Sequence, residues 1–138
     1  MTVLVDTNVV LDVMLAREPF VMDSAQVLAA AETSSITGLL CATTVTTIHY
    51  IARRELGTEC SLARISELMT LFRVAPVNGV ILESAMRLKM RDFEDAVLHE
   101  SAVQAGADCI VTRNTSDFKT ASLLVLEPSQ LITHLETY

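Results

Sequence analysis

Short apolar runs alternate along the chain with longer stretches in which apolar residues recur every three or four positions. The run Val3, Leu4 and Val5 predicts a first strand that stops at Asp6. Further short runs predict four more strands, at 36–41, 72–77, 109–112 and 123–126. The helical spacing predicts helices from about Asn8, over 21–33, 43–55, 61–71, 80–90 and 92–105, and from Pro128. Strands and helices therefore alternate throughout.

This alternation predicts an α/β fold of three layers, α/β/α, with a central, mainly parallel and doubly wound sheet covered by helices on both faces. We expect a single domain over residues 1–138, because this length fits one domain and no linker or repeat interrupts it. In such sheets, ligands bind at the carboxyl ends of the strands, where the strand order reverses. Polar residues that follow strands are therefore the first candidates for chemistry.

Composition narrows the class of protein. Hydrophobic residues make up 51% of the chain and its mean hydropathy is +0.42, yet no apolar run reaches the roughly 20 residues of a membrane span. We therefore expect no membrane contact, and some apolar surface for a protein partner. The three widely spaced cysteines, Cys41, Cys60 and Cys109, and the lack of a secretory signal favour a cytoplasmic protein with reduced thiols.

The net charge of −7 argues against a protein whose affinity for nucleic acid comes mainly from neutralising phosphates. It does not exclude a nuclease, because carboxylates that bind a metal add negative charge to the site itself. Charge alone is therefore mildly unfavourable to an RNA-directed function.

Three acids follow predicted strands or open a predicted helix. Asp6 ends the first strand, where it could cap a helix or bind a cation. Asp95 lies near the start of the helix at 92–105, and Asp117 lies in the loop after the strand at 109–112. The predicted fold brings all three to one edge of the sheet, where clustered carboxylates repel one another unless a cation neutralises them. Mg²⁺ prefers such oxygen ligands.

These segments, in this order, resemble the PIN-domain family of metal-dependent ribonucleases, which includes the toxins of VapC-type toxin–antitoxin pairs. The resemblance rests on Leu-Val-Asp-Thr-Asn-Val-Val-Leu-Asp at 4–12, Asp-Phe-Glu-Asp-Ala at 92–96 and Ile-Val-Thr-Arg-Asn-Thr-Ser-Asp-Phe at 110–118, and it covers almost the whole chain. It implies a PIN-like fold and hydrolysis of RNA phosphodiester bonds with Mg²⁺ or Mn²⁺. Together with the apolar composition, it also implies a homodimer and an antitoxin protein as partner.

The resemblance also implies roles for single residues. Asp6, Asp95 and Asp117 are expected to bind the metal, and the same acids together with Asn114 are expected to be catalytic. Residues expected to contact the metal's water shell or the substrate are Thr7, Asn8, Asp92, Glu94, Thr112 and Arg113.

Two departures from the family pattern leave a second interpretation open. Many PIN nucleases carry a glutamate in the helix after the second strand, but the helix predicted at 43–55 has no acid before Glu55. Many also carry an aspartate where this chain has Asn114. Glu94 or Asp92 could compensate, and His49 is a weaker candidate for the vacated place. Otherwise the chain is a PIN-like domain with impaired catalysis that acts as a protein- or RNA-binding module.

A phosphoryl-accepting receiver domain would also present acids at the ends of parallel strands. Such a domain needs paired acids after the first strand and a lysine at the end of the last one. Asp6 is followed by Thr7, and the strand predicted at 123–126 is followed by Glu127. The sequence therefore excludes this class.

Overall fold

A computed structural model describes residues 1–137 of the chain. Within this part, five strands form one sheet: β1 (Thr2–Val5), β2 (Thr37–Cys41), β3 (Arg73–Ala75), β4 (Cys109–Val111) and β5 (Leu124–Leu126). They lie in the order β3-β2-β1-β4-β5, and every neighbouring pair is parallel. The prediction of an α/β fold around a parallel, doubly wound sheet is confirmed.

The described residues also form seven α-helices: α1 (Thr7–Met14), α2 (Val21–Glu32), α3 (Ala42–Leu56), α4 (Thr58–Leu71), α5 (Gly79–Arg87), α6 (Phe93–Gln104) and α7 (Pro128–Thr137). A 3₁₀ turn, Thr115–Phe118, lies in the stretch that was predicted as a loop. Helix α4 begins earlier than predicted because Gly57, at φ 81°, reverses the chain directly after α3. Over residues 1–137, no helix is both long enough and apolar enough to cross a membrane.

The central strands β1 and β4 are buried on both faces, which explains why they are almost continuously apolar, whereas the edge strands β3 and β5 are partly exposed. Successive side chains of β1 point to opposite faces. Val3 and Val5 belong to a core cluster that includes residues of α1, α2, α3, α4 and α7. Leu4 and Ile110 of β4 pack instead in a second cluster with Leu98 of α6. Helices therefore cover both faces of the sheet and complete the three predicted layers.

The strand order reverses at β1. From β1 the chain builds β2 and β3 on one side, and then returns to place β4 on the other side. The carboxyl ends of β1 and β4 consequently form the crevice in which doubly wound sheets bind ligands. The backbone N–H of Asp6 still donates to the carbonyl of Val111 (2.9 Å), so the two chain segments leave the sheet side by side.

Close packing at Gly38 generates a test of this fold. A Cβ added at Gly38 would lie 2.5 Å from Cδ1 of the buried Phe72 ring. We expect Gly38→Ala to lower the free energy of unfolding by about 1–3 kcal/mol, because the ring must move. The control is Gly79→Ala, where an added Cβ has no neighbour within 4 Å. Chemical denaturation should separate the two variants, and equal stabilities would contradict the packing of β2 against Phe72.

Candidate metal centre

Asp6 caps α1 directly after β1. Its Oδ1 accepts a hydrogen bond from the backbone N–H of Thr7 (2.7 Å), and its Oδ2 accepts one from the hydroxyl of Thr112 (2.8 Å). Only 8% of the residue is exposed. Burial raises the pKa of the Asp6 carboxyl despite these hydrogen bonds, and the carboxylates of Asp117 and Glu94 raise it further. Asp6 is thus a helix cap that also carries part of the charge of this crevice.

A polar network joins the start of α1 to the segment after β4. The side-chain amide of Asn8 donates to Oδ2 of Asp6 (3.4 Å) and to Oγ1 of Thr112 (3.3 Å). Its carbonyl accepts from the backbone N–H of Arg113 (3.2 Å), while the N–H of Asn114 donates to Thr112 (3.1 Å). The Thr112 hydroxyl therefore donates once and accepts twice, which uses its full capacity. The network fixes Asp6 relative to the segment after β4.

Asp95 approaches from the first turn of α6. The carboxylate of Asp92, the N-cap of this helix, accepts from the backbone N–H of Asp95 (3.1 Å). Partial burial raises the pKa of the Asp95 carboxyl to about 7, with repulsion from Asp6, Asp92, Asp117 and Glu94 adding to the rise. Acids from the end of β1, the start of α6 and the 3₁₀ turn therefore act on one another electrostatically.

An open groove of about 350 Å³ lies among these acids. Eight of the ten residues predicted for the site line this groove: Asp6, Thr7, Asn8, Asp92, Glu94, Asp95, Asn114 and Asp117. The other two lie elsewhere. Thr112 is buried and bonded to Asp6, and the Nε of Arg113 donates to the carboxylate of Asp12 (2.6 Å).

Threonines occupy the α3 side of the groove, where many PIN nucleases carry a glutamate. Thr43, Thr44 and Thr47 line a small polar cavity of about 30 Å³ together with Asp95 and other residues. His49 does not take this place, since its Nδ1 lies 2.9 Å from the hydroxyl of Ser61 on α4. The α3 side consequently offers hydroxyl groups and no carboxylate.

The donor set fits a metal that is held by few protein ligands. Within residues 1–137, no three His, Cys, Asp or Glu side chains are grouped so that they could hold a metal ion. The groove nevertheless presents carboxylate, amide and hydroxyl oxygens, which suit Mg²⁺ or Mn²⁺. Mg²⁺ commonly uses one or two carboxylates and keeps several waters. Asp6 and Asp95 supply the two carboxylates that such a site needs. A cation would also relieve the repulsion that raises the pKa of Asp95.

Sequence reasoning missed two charged residues. Arg17 lines the groove and is the one Lys or Arg among the described residues that do so. Asp12 is 0% exposed and accepts from Nε of Arg113 (2.6 Å) and from the hydroxyl of Ser24 (3.1 Å). An acid inside the apolar run of α1 was the available signal for Asp12, because a buried charge requires a partner. No sequence pattern indicated that Arg17 lies at the site.

The raised pKa of Asp95 predicts how stability depends on pH without metal. The folded carboxyl has a pKa of about 7 against an ordinary value of 3.8, so the folded state binds this proton more tightly and loses stability as pH rises through that window. At neutral pH in EDTA, we expect Asp95→Asn to be more stable than the wild type by roughly 1 kcal/mol, after discounting for partial solvent exposure. Thermal melts of both proteins across this pH range measure the difference in stability. If the stabilities of the two proteins change with pH in parallel, the prediction is contradicted.

The chain was also compared with known families and structures. A family model described as PIN domain matches residues 2–116. No curated protein matches the sequence. The fold is similar to that of VapBC-1 from nontypeable Haemophilus influenzae, at 18% identity and a TM-score of 0.70, over 94% of this chain and 99% of that one.

Two further solved structures are similar in fold to this chain. A toxin–antitoxin complex from Klebsiella pneumoniae has 21% identity and a TM-score of 0.70, over 91% of this chain and 97% of that one. VapC20 from Mycobacterium tuberculosis, a sarcin–ricin loop cleaving toxin, has 18% identity and a TM-score of 0.63, over 78% and 86%. These structures share the fold with this chain. Because the matched family model runs from β1 into the 3₁₀ turn, the chain belongs to the PIN-domain family.

Proposed function

We propose that this PIN domain is a metal-dependent endoribonuclease that hydrolyses RNA phosphodiester bonds with Mg²⁺ or Mn²⁺. The observation that carries the proposal is the convergence of Asp6, Asp95 and Asp117, which come from three distant segments and act on one another across one groove. Among the described residues, the basic side chains that line this groove and an adjoining pocket with Asp95 and Asp117 are Arg17 and Arg91, which the acids outnumber. A divalent cation would neutralise this cluster.

In this mechanism, Asp6 and Asp95 would hold the metal. The bound cation would polarise a phosphoryl oxygen and lower the pKa of an attacking water. Hydrogen bonds from Thr7 and Thr112 fix the Asp6 carboxylate before any ligand arrives, which reduces the cost of reorganisation. Asp117 completes the acidic cluster or orients the water.

Asn114 and Arg17 are the groups proposed to contact the substrate. Both line the groove, Asn114 from the segment after β4 and Arg17 from the chain that follows α1. A guanidinium among carboxylates is suited to a phosphate oxygen, which it binds with charge-assisted hydrogen bonds. Arg17 would then draw the RNA backbone to a groove whose own charge is negative.

The biological setting that we propose is a cytoplasmic toxin–antitoxin pair. The Klebsiella pneumoniae structure is a toxin–antitoxin complex, and VapC20 is described as a toxin that cleaves the sarcin–ricin loop. This chain leaves large apolar side chains exposed, such as Met22, Val80 and Met86. Such side chains are suited to burial in a homodimer or against an antitoxin.

A binding module with an impaired site is the second candidate. It is favoured by the threonines at the α3 side of the groove and by the lack, among the described residues, of a three-ligand group ready for a metal. The net charge of −7 also gives RNA little general attraction. Such a module would bind its partner without needing a metal, so metal dependence separates the two functions.

Cleavage of single-stranded RNA with Mg²⁺ or Mn²⁺ tests the proposal. We expect the wild type to cut and EDTA to stop it, while Asp6→Asn and Asp95→Asn lower the rate by roughly a hundredfold or more, because each removes a charge that holds the metal. The matched control is Asp108→Asn. Its carboxylate accepts from the N–H of Thr2 (2.7 Å) at the opposite edge of the sheet, and asparagine retains an acceptor.

Circular dichroism and melting curves should show that all three variants are folded. A folded wild type that cuts no RNA with either metal would favour the binding module. Cleavage by Asp6→Asn and Asp95→Asn at the rate of the Asp108→Asn control would contradict the proposed site.

A further inference from the structure

A second pocket lies beside the acidic groove, between the start of α2 and the start of α7. It has a volume of about 350 Å³, and Phe20, Asp23, Arg113 and Glu127 line it together with the first residues of α7. We call it the Arg113 pocket. Asn114 lines both this pocket and the groove, so a molecule bound here would lie next to the proposed cleavage site.

The guanidinium of Arg113 is held rigidly at the wall of this pocket. Its Nε donates to the buried carboxylate of Asp12 (2.6 Å), which also accepts from the hydroxyl of Ser24 (3.1 Å). Its Cζ lies 3.9 Å from the centroid of the Phe20 ring, so the guanidinium stacks on the ring. An ion pair and an aromatic face thus fix both the direction and the plane of the group.

Among the described residues, the outer nitrogens of Arg113 have no hydrogen-bonding partner. Within residues 1–137, neither Nη atom donates a hydrogen bond to another residue, and 23% of the side chain is exposed. The N–H donors at these nitrogens form a flat fork that matches two acceptors lying in one plane. The arrangement is prepared for a ligand with paired, coplanar acceptors.

Among the ligands that offer such acceptors, the charge of the pocket favours a neutral base over an anion such as a phosphate or a carboxylate. The carboxylates of Asp23 and Glu127 outnumber the single cation, which disfavours a phosphate. A guanine base is neutral and offers acceptors O6 and N7 to an arginine fork. Its N1–H and N2–H₂ donors lie on a different edge, where carboxylates can accept them. The lining therefore favours guanine over phosphate.

We propose that the Arg113 pocket binds an unpaired guanine base of the RNA next to the bond that the groove cleaves. This rests on the proposed nuclease function and adds to it a preference for sequence. Unpaired RNA bases bind proteins by stacking on aromatic rings or guanidinium planes and by hydrogen bonds to their edges. Arg113, held against Phe20, provides the fork for the O6 and N7 edge, and Asp23 and Glu127 provide acceptors for the other edge.

Titration of the protein with nucleoside 5′-monophosphates tests the proposal without cleavage. In EDTA, followed by NMR, we expect GMP to bind about tenfold more tightly than AMP, CMP or UMP, in keeping with one bidentate arginine contact. The amides of Arg113, Asn114 and Ser129 should shift. The GMP analogue 7-deaza-GMP, which lacks the N7 acceptor, should lose most of this advantage.

Two variants assign the effect to named groups. Arg113→Lys keeps a cation opposite Asp12 but removes the planar fork, so the preference for GMP should be reduced. Glu127→Gln, at an exposed position, should weaken GMP binding and leave UMP binding unchanged. The control Asp108→Asn makes the same acid-to-amide change at an exposed position at the opposite edge of the sheet, outside the pocket, and should leave the binding of all four nucleotides unchanged.

Equal binding of all four nucleotides, or an unchanged preference for GMP in folded Arg113→Lys, would overturn the guanine pocket. If all four nucleotides bind equally and their binding depends on Arg113, the pocket is a phosphate site instead. Because no metal is present, these results do not depend on catalysis. A preference for GMP in a protein that cuts no RNA would leave the pocket standing and overturn the nuclease proposal.

Discussion

Repulsion among carboxylates at the carboxyl ends of β1 and β4 is the constraint on which the rest of this structure depends. Asp6 is nearly buried, and Asp95 has a pKa raised to about 7 by burial and by its acidic neighbours. Like charges in a poorly solvated place lower stability unless something neutralises them. The fold tolerates them in part because Thr7 and Thr112 donate hydrogen bonds to Asp6. We propose that a divalent cation completes this balance, and we therefore place the function at these carboxylates.

Much of this arrangement could be predicted from the sequence, because it follows from the backbone. Continuous apolar runs such as 3–5 identify strands buried on both faces, and in a parallel sheet the residue after such a strand lies at the working edge. Asp6 could be placed by this rule alone. The loop after β4, with Asn114 and Asp117, follows the same rule, and the groove lining agrees with both placements.

The other features of the site could not be predicted, because they depend on the directions of side chains in three dimensions. The pairing of Arg113 with Asp12 joins residues 101 positions apart, and it turns the guanidinium away from the groove that the sequence suggested for it. Arg17 reaches the groove from a turn with no periodic pattern. The sequence does show that α3 has no acid before Glu55, but only the structure shows threonines lining a small cavity on that side of the groove.

The central claim is that Asp6 and Asp95 together hold a divalent cation. The most direct measurement is the anomalous scattering of Mn²⁺ in crystals of the protein grown with the metal. We predict a peak in the groove, in contact with a carboxylate oxygen of Asp6 or Asp95 and otherwise surrounded by waters. Ordered crystals with no peak there, or with a peak only at unrelated surface acids, would contradict the account.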